Sequence, residues 1–186
     1  MAKLNGGILL AQALKKEGVE CVFTLTGGHI MPILYGCRDA GIKVVDGRHE
    51  GAVGHAADAH AKVTGKPGVF FTTAGPGVTN ACTPMAEAMV SCTPLIHIGG
   101  ASPRKENDTS PLQDVRSFEA MDVFSKWSRK VHDVERIPEY IAMAFRNALS
   151  GTPGPVYLEI PVDIVHLKAD DSKVYWPELY RTEAQP

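Results

Sequence analysis

The chain has 186 residues, 44% of them hydrophobic, and a formal net charge of -2. That is enough apolar material for one globular domain burying roughly 70% of its unfolded surface. Without a long Lys/Arg run there is no electrostatic case for nucleic acid or an anionic membrane surface, and no window approaches the roughly 20 apolar residues of a membrane span.

The opening stretch "MAKLNGGILLAQALKKEG" carries no cleavable signal pattern, which predicts a cytosolic protein. Within it, Asn5 can cap a helix over residues 6 to 17, with an apolar stripe of Ile8, Leu9, Ala11 and Leu14, a basic last turn and Gly18 as the stop. "VECVFTL" reads as a short strand. "TGG" then breaks the chain before a helical pattern from about 29 to 40, closed by Gly41. "IKVVD" is the next strand and "EGAVGHAADAHAKVTG" the next helix. "PGVFFTTA" is continuously apolar, as a strand buried on both faces of a parallel sheet would be. "GPG" turns it into a helix around 77 to 91. "TPLIHIGG" makes a fourth strand, after which "ASPRKENDTSPLQDVRS" is polar and broken by prolines, a long excursion. A helix from about 136 to 149, with Pro138 in its first turn, precedes a final strand in "TPGPVYLEIPVDI". This alternation predicts a doubly wound α/β domain: a mainly parallel sheet of five or six strands with helices on both faces. The domain is expected to span residues 1–165. The tail 166–186 lacks the pattern and reads as a linker toward a further domain.

Four cysteines, Cys21, Cys37, Cys82 and Cys92, match no zinc knuckle or CxxC motif and are expected to be reduced and mostly buried. "HEGAVGH" places its histidines about 240° apart around a helix, so no zinc-protease pair forms and no metal ligands are expected. "AGPGVTN" lacks the third glycine of a dinucleotide fingerprint, and "TGKPG" lacks phosphate-loop spacing.

What remains is three loops at the carboxyl ends of successive strands, where open α/β sheets bind ligands: "LTGGH", "DGRHE" and "TAGPG". In the middle one Glu50 has two readings. It is an acid in the first turn of a helix, favoured by the dipole, or a carboxyl placed among small apolar residues for chemistry.

"RHEGAVGHAADAHAKVTGKPGVFFTTAGPGVTNA", with "TGGHI" upstream and "GTPGPVYLEIPVDI" downstream, resembles the N-terminal pyrimidine-binding domain of thiamine-diphosphate enzymes of the acetolactate synthase and benzaldehyde lyase superfamily. The resemblance runs from about residue 4 to 165. It implies that Glu50 matches the glutamate that hydrogen-bonds N1' of the cofactor's aminopyrimidine and so promotes loss of the thiazolium C2 proton. The small residues Gly51, Ala52, Gly54 and Ala56 would let that helix pack closely and exclude water, with Arg48 and His49 as structural supports. Gly27 and Gly28, with Gly75, Pro76 and Gly77, would line the pyrimidine ring. His29 would relay protons to the substrate oxygen, or would be a helix-start residue with a local hydrogen bond. Gln113, in "PLQD", would extend toward the substrate.

The resemblance also implies Mg²⁺ and a diphosphate held by a second domain, for which the residues after 165 are too few. It implies a flavin, FAD, on a middle domain in some members. The active site would lie between this domain and the diphosphate-binding domain of a second subunit of a homo-oligomer, a dimer or tetramer. The substrates would be 2-keto acids or 2-hydroxy ketones, and the chain alone is expected to be inactive. The alternative reading is a non-catalytic interaction or regulatory subunit that kept the fold.

Overall fold

The computed structural model describes residues 4–178. Among them, β1 (Cys21–Thr24), β2 (Lys43–Asp46), β3 (Gly68–Thr72), β4 (Leu95–Ala101), β5 (Trp127–Lys130) and β6 (Val156–Pro161) form one sheet in the order β2-β1-β3-β4-β6-β5. Every neighbouring pair is parallel. The helices are α1 (Gly6–Lys16), α2 (Met31–Asp39), α3 (Glu50–Thr64), α4 (Pro76–Thr79), α5 (Cys82–Val90), α6 (Ser117–Val123), α7 (Ile137–Leu149) and α8 (Val162–His166). The expected doubly wound α/β fold is therefore present.

The central strands are buried along their length because each face feeds a separate core. Val69, Phe71, Ile96, Ile98, Leu158 and Ile160 point to one face, under α1, α2, α7 and α8. Phe70, Leu95 and Tyr157 point to the other, where α3, α4, α5 and α6 add Val53, Val78, Met85 and Met121. This two-sided burial is what a continuously apolar strand such as β3 requires. Local signals set the helix ends. The Asn5 side chain accepts a hydrogen bond from the Ile8 backbone N–H at 2.9 Å and starts α1. Gly65, with φ 70, closes α3.

Three expectations are corrected. The helix foreseen over 77–91 is two helices, α4 and α5. Pro84 has no N–H to offer the Asn80 carbonyl, and its ring would collide with that carbonyl in an unbroken helix. The polar excursion beginning at 101 gives way to α6 and then to β5, an edge strand reading "WSRK". Of the four free thiols only Cys37 is fully buried, while Cys92 lies exposed at the turn after α5. The tail, as far as residue 178, lies back along α1: Lys168 bridges Asn5, and the Lys16 ammonium donates to the Pro177 carbonyl and stands 5.6 Å from the Trp176 ring centre.

No helix among the described residues is long and apolar enough to cross a membrane.

Candidate active site

The strand order reverses at β1, with β2 on one side and β3 on the other. A parallel sheet opens a crevice at such a point, beyond the carboxyl ends of its strands. Four loops meet along that edge. The loop after β1 carries Gly27, Gly28 and His29, and the loop after β2 leads into Glu50. The loop after β3 carries Gly75, Pro76 and Gly77, and the loop after β4 carries Gln113.

Glu50 is the first residue of α3 and is only 7% exposed. The cap that starts its helix is His49, whose Nδ1 accepts from the Gly51 N–H at 3.0 Å. Arg48 turns away into an exposed ion pair with Asp46. The acid is thus held by the fold and does not depend on either neighbour for its charge balance. Its Oε2 accepts from the Asn80 side-chain amide at 3.0 Å. Among the described residues no donor is bonded to Oε1, which faces Gly77. A Cβ on Gly77 would stand 3.3 Å from Oε1 and 2.8 Å from Thr73 Cγ2, so glycine there keeps the carboxylate open. A Cβ on Gly28 would meet nothing within 4 Å, so that stretch of backbone also borders open space.

Thr73 links this group to His29. Its Oγ1 lies 3.1 Å from His29 Nδ1, and burial pushes the imidazole pKa below its ordinary value, favouring the neutral ring. Beneath them His97 is fully buried, stacked on Phe70 and bonded through Nε2 to Thr72 Oγ1 at 2.9 Å.

Gln113 comes to the same rim from the far side. Its φ is 62, and its backbone carbonyl packs so closely on Gly75, itself at φ 56, that a Cβ there would fall 2.1 Å from the Gln113 oxygen. Glu50 and Gly77 therefore meet directly, His29 is coupled to them through Thr73, and Gln113 is coupled through Gly75. Thr73 and Asn80 were not singled out from the sequence. Asn80 was visible in "AGPGVTN", but its partner is 30 residues away in the sequence. Among the described residues no group of three or more His, Cys, Asp or Glu side chains converges on a metal site.

The family described as "Thiamine pyrophosphate enzyme, N-terminal TPP binding domain" matches residues 4–121, more than half of the chain. The chain belongs to this family. Thiamine diphosphate is accordingly the cofactor of the family to which this thiamine pyrophosphate domain belongs. The domain is similar to 2-hydroxyacyl-CoA lyase 2 of Danio rerio, at 41% identity over 162 residues, 87% of this chain and 26% of that protein. It is likewise similar to 2-hydroxyacyl-CoA lyase 2 of Caenorhabditis elegans, at 41% over 165 residues, 89% and 26%. With 2-hydroxyacyl-CoA lyase 1 of Mus musculus it shares 36% over 176 residues, 95% and 30%. The domain thus spans between a quarter and a third of the length of these relatives. A buried carboxylate with one oxygen held by Asn80 and the other open beside Gly77 is a group suited to the family's cofactor ring.

Proposed function

We propose that this domain forms the pyrimidine side of the active site in a thiamine-diphosphate-dependent lyase that cleaves a 2-hydroxyacyl-CoA between its hydroxyl-bearing carbon and its thioester carbonyl. The observation that carries the reading is Glu50, a buried acid with Oε2 pinned by Asn80 and Oε1 left open beside Gly77. An interaction or regulatory module would have no use for such an acid, whose burial costs stability unless it is partnered.

Thiamine diphosphate, when bound, supplies the nucleophilic carbon and takes up the electron pair of the cleaved bond. The chain's own residues prepare that chemistry. Glu50 Oε1 would share a proton with the ring nitrogen N1', while Asn80 holds the other oxygen. Gly27, Gly28, Gly75, Pro76 and Gly77 would border the ring, with Gly28 and Gly77 presenting no side chain to it. His29, neutral and held at Nδ1 by Thr73, is free to exchange a proton with the substrate hydroxyl through Nε2. Gln113 faces the substrate from the excursion after β4.

Mg²⁺ and the diphosphate are assigned to a domain outside this chain, contributed by a second subunit of a homo-oligomer. A middle domain would hold FAD where the intact enzyme carries it. In this reading residues 1–165 make up the cofactor domain with 166–186 as a linker, and the chain by itself is inactive. The exposed Met89 and Val90 of α5 suit a surface covered in that assembly.

The test is to supply the purified enzyme carrying this domain with a 2-hydroxyacyl-CoA. Release of an aldehyde that depends on added thiamine diphosphate is expected. Failure to cleave that carbon–carbon bond, with condensation of a 2-keto acid to an acetolactate instead, would overturn the substrate class. Failure to bind the cofactor at all would favour the interaction module.

A further inference from the structure

Residues 102–117 carry Gln113 across the carboxyl ends of β4, β6 and β5, and they do so over a cavity of about 210 Å³. Its lining includes Gly75, Gln113, Arg104, Lys130, His132 and Glu159, so the loop does not rest on an apolar core. Three of its residues, Asp108, Ser110 and Gln113, have positive φ without being glycine. Such backbone persists only where the surroundings over-determine it.

Those surroundings are polar bonds at the two ends of the loop. At its start Arg104 makes three. Its backbone N–H donates to Asp163 Oδ1 at 3.1 Å, its Nε to Oδ2 of the same carboxylate at 2.8 Å, and its Nη1 to the His132 carbonyl at 2.7 Å. One side chain is thus tied both to the first turn of α8 and to the chain leaving β5. At its end Ser117 donates to Glu159 Oε2 at 3.4 Å. That carboxylate, only 5% exposed, is paired through Oε1 with Lys130 at 3.0 Å. Between the ends, Ser102 Oγ donates to the Leu112 carbonyl at 3.2 Å, one residue before Gln113.

We infer that Arg104 and Asp163 are positioning residues: their bridge sets where Gln113 stands against Gly75 and so how well the enzyme holds its substrate. The inference rests on the reading of Gln113 as a substrate-facing residue. An isolated surface ion pair would contribute little. This one differs because the carboxylate takes both a backbone and a side-chain donor from the residue it anchors, and because a cavity lies beneath the loop. Without the bridge the loop keeps its contacts at Ser102, Ser117 and Gly75 but loses the tie at its start. A displacement on the order of 1 Å at a substrate-facing residue is enough to lower activity severalfold or more.

Asp163→Asn, Gln113→Ala and the double variant, made in the enzyme carrying this domain, test the inference. Amide hydrogen exchange without substrate is the first readout. In Asp163→Asn, exchange over residues 104–114 should quicken while β4 and β6 keep their protection. Steady-state kinetics is the second. Asp163→Asn should raise KM roughly tenfold with a smaller change in kcat, and adding it to Gln113→Ala should do nothing further, since non-additivity marks a shared path. Unchanged loop exchange in Asp163→Asn would overturn the clamp. Additive losses in the double variant would show that Asp163 acts on the fold and not through Gln113, which also overturns it. If Gln113→Ala leaves KM unchanged, the substrate-facing reading of Gln113 falls and the proposed effect on KM falls with it. The exchange result then judges the clamp by itself.

Discussion

His97 should make the fold acid-sensitive. Fully buried between Phe70 and Tyr157, with Nδ1 lacking a partner among the described residues, its imidazole is held neutral by desolvation, its pKa pushed down to about 3. In the unfolded chain the same ring titrates near 6.5. Between those values the unfolded state binds a proton that the folded state does not. The stabilisation is complete above about pH 6.5 and is lost as pH falls toward 3, at up to about 1.4 kcal/mol per pH unit. By pH 5 the loss is about 2 kcal/mol, a large part of a typical domain's stability. His97→Phe keeps a ring in the stack and removes the titration. It also strips Thr72 of its partner, which lowers stability by about 1–3 kcal/mol at every pH. Urea unfolding midpoints from pH 4 to 8 should give a wild-type curve that falls steeply below 6.5 and a flatter variant curve set lower at neutral pH. Parallel curves would refute the assignment of the slope to His97.

Gly77→Ala should leave the fold in place, since α4 is helical there, yet push the new methyl toward Thr73 and Glu50 Oε1. Cofactor affinity, measured by titrating thiamine diphosphate into the cofactor-free enzyme in a calorimeter, is expected to fall roughly tenfold, the scale of a modest steric misfit. Thr73→Val removes the partner of His29 Nδ1 with little change in shape. It should slow substrate turnover in single-turnover kinetics while exchange of the cofactor's C2 proton stays at the wild-type rate.

Five of the six strands were read from the sequence, most directly the two central ones, which are almost wholly apolar. "GVFFT" and "LIHIGG" are buried on both faces, as central strands of a parallel sheet are. Glu50 was legible for the same reason in reverse, as an acid set among residues too small to hide it. β5 was not, because an edge strand needs only one buried position, and "WSRK" buries Ser128 alone. The break between α4 and α5 was legible in principle, since Pro84 forbids a continuous helix. What no local pattern contains is that the Asn80 amide, at the end of α4, reaches Glu50. The coupling of His29 to Thr73 spans 44 residues and is likewise a product of the β1–β3 pairing. The position of Gln113 was expected from the resemblance, but the ion pairs that hold its loop join residues 104 with 163 and 130 with 159, contacts that only the sheet order creates.

The role of Glu50 is tested most directly by the exchange of the thiamine diphosphate C2 proton in Glu50→Gln holoenzyme, followed by NMR after acid quench. Glutamine keeps the size and the contact with Asn80 but cannot share a proton with N1'. Exchange slowed by a factor on the order of 10² or more is expected, the scale of positioned acid–base assistance, with cofactor affinity much less affected. Exchange at the wild-type rate would contradict the assignment and return Glu50 to being an acid that merely begins a helix.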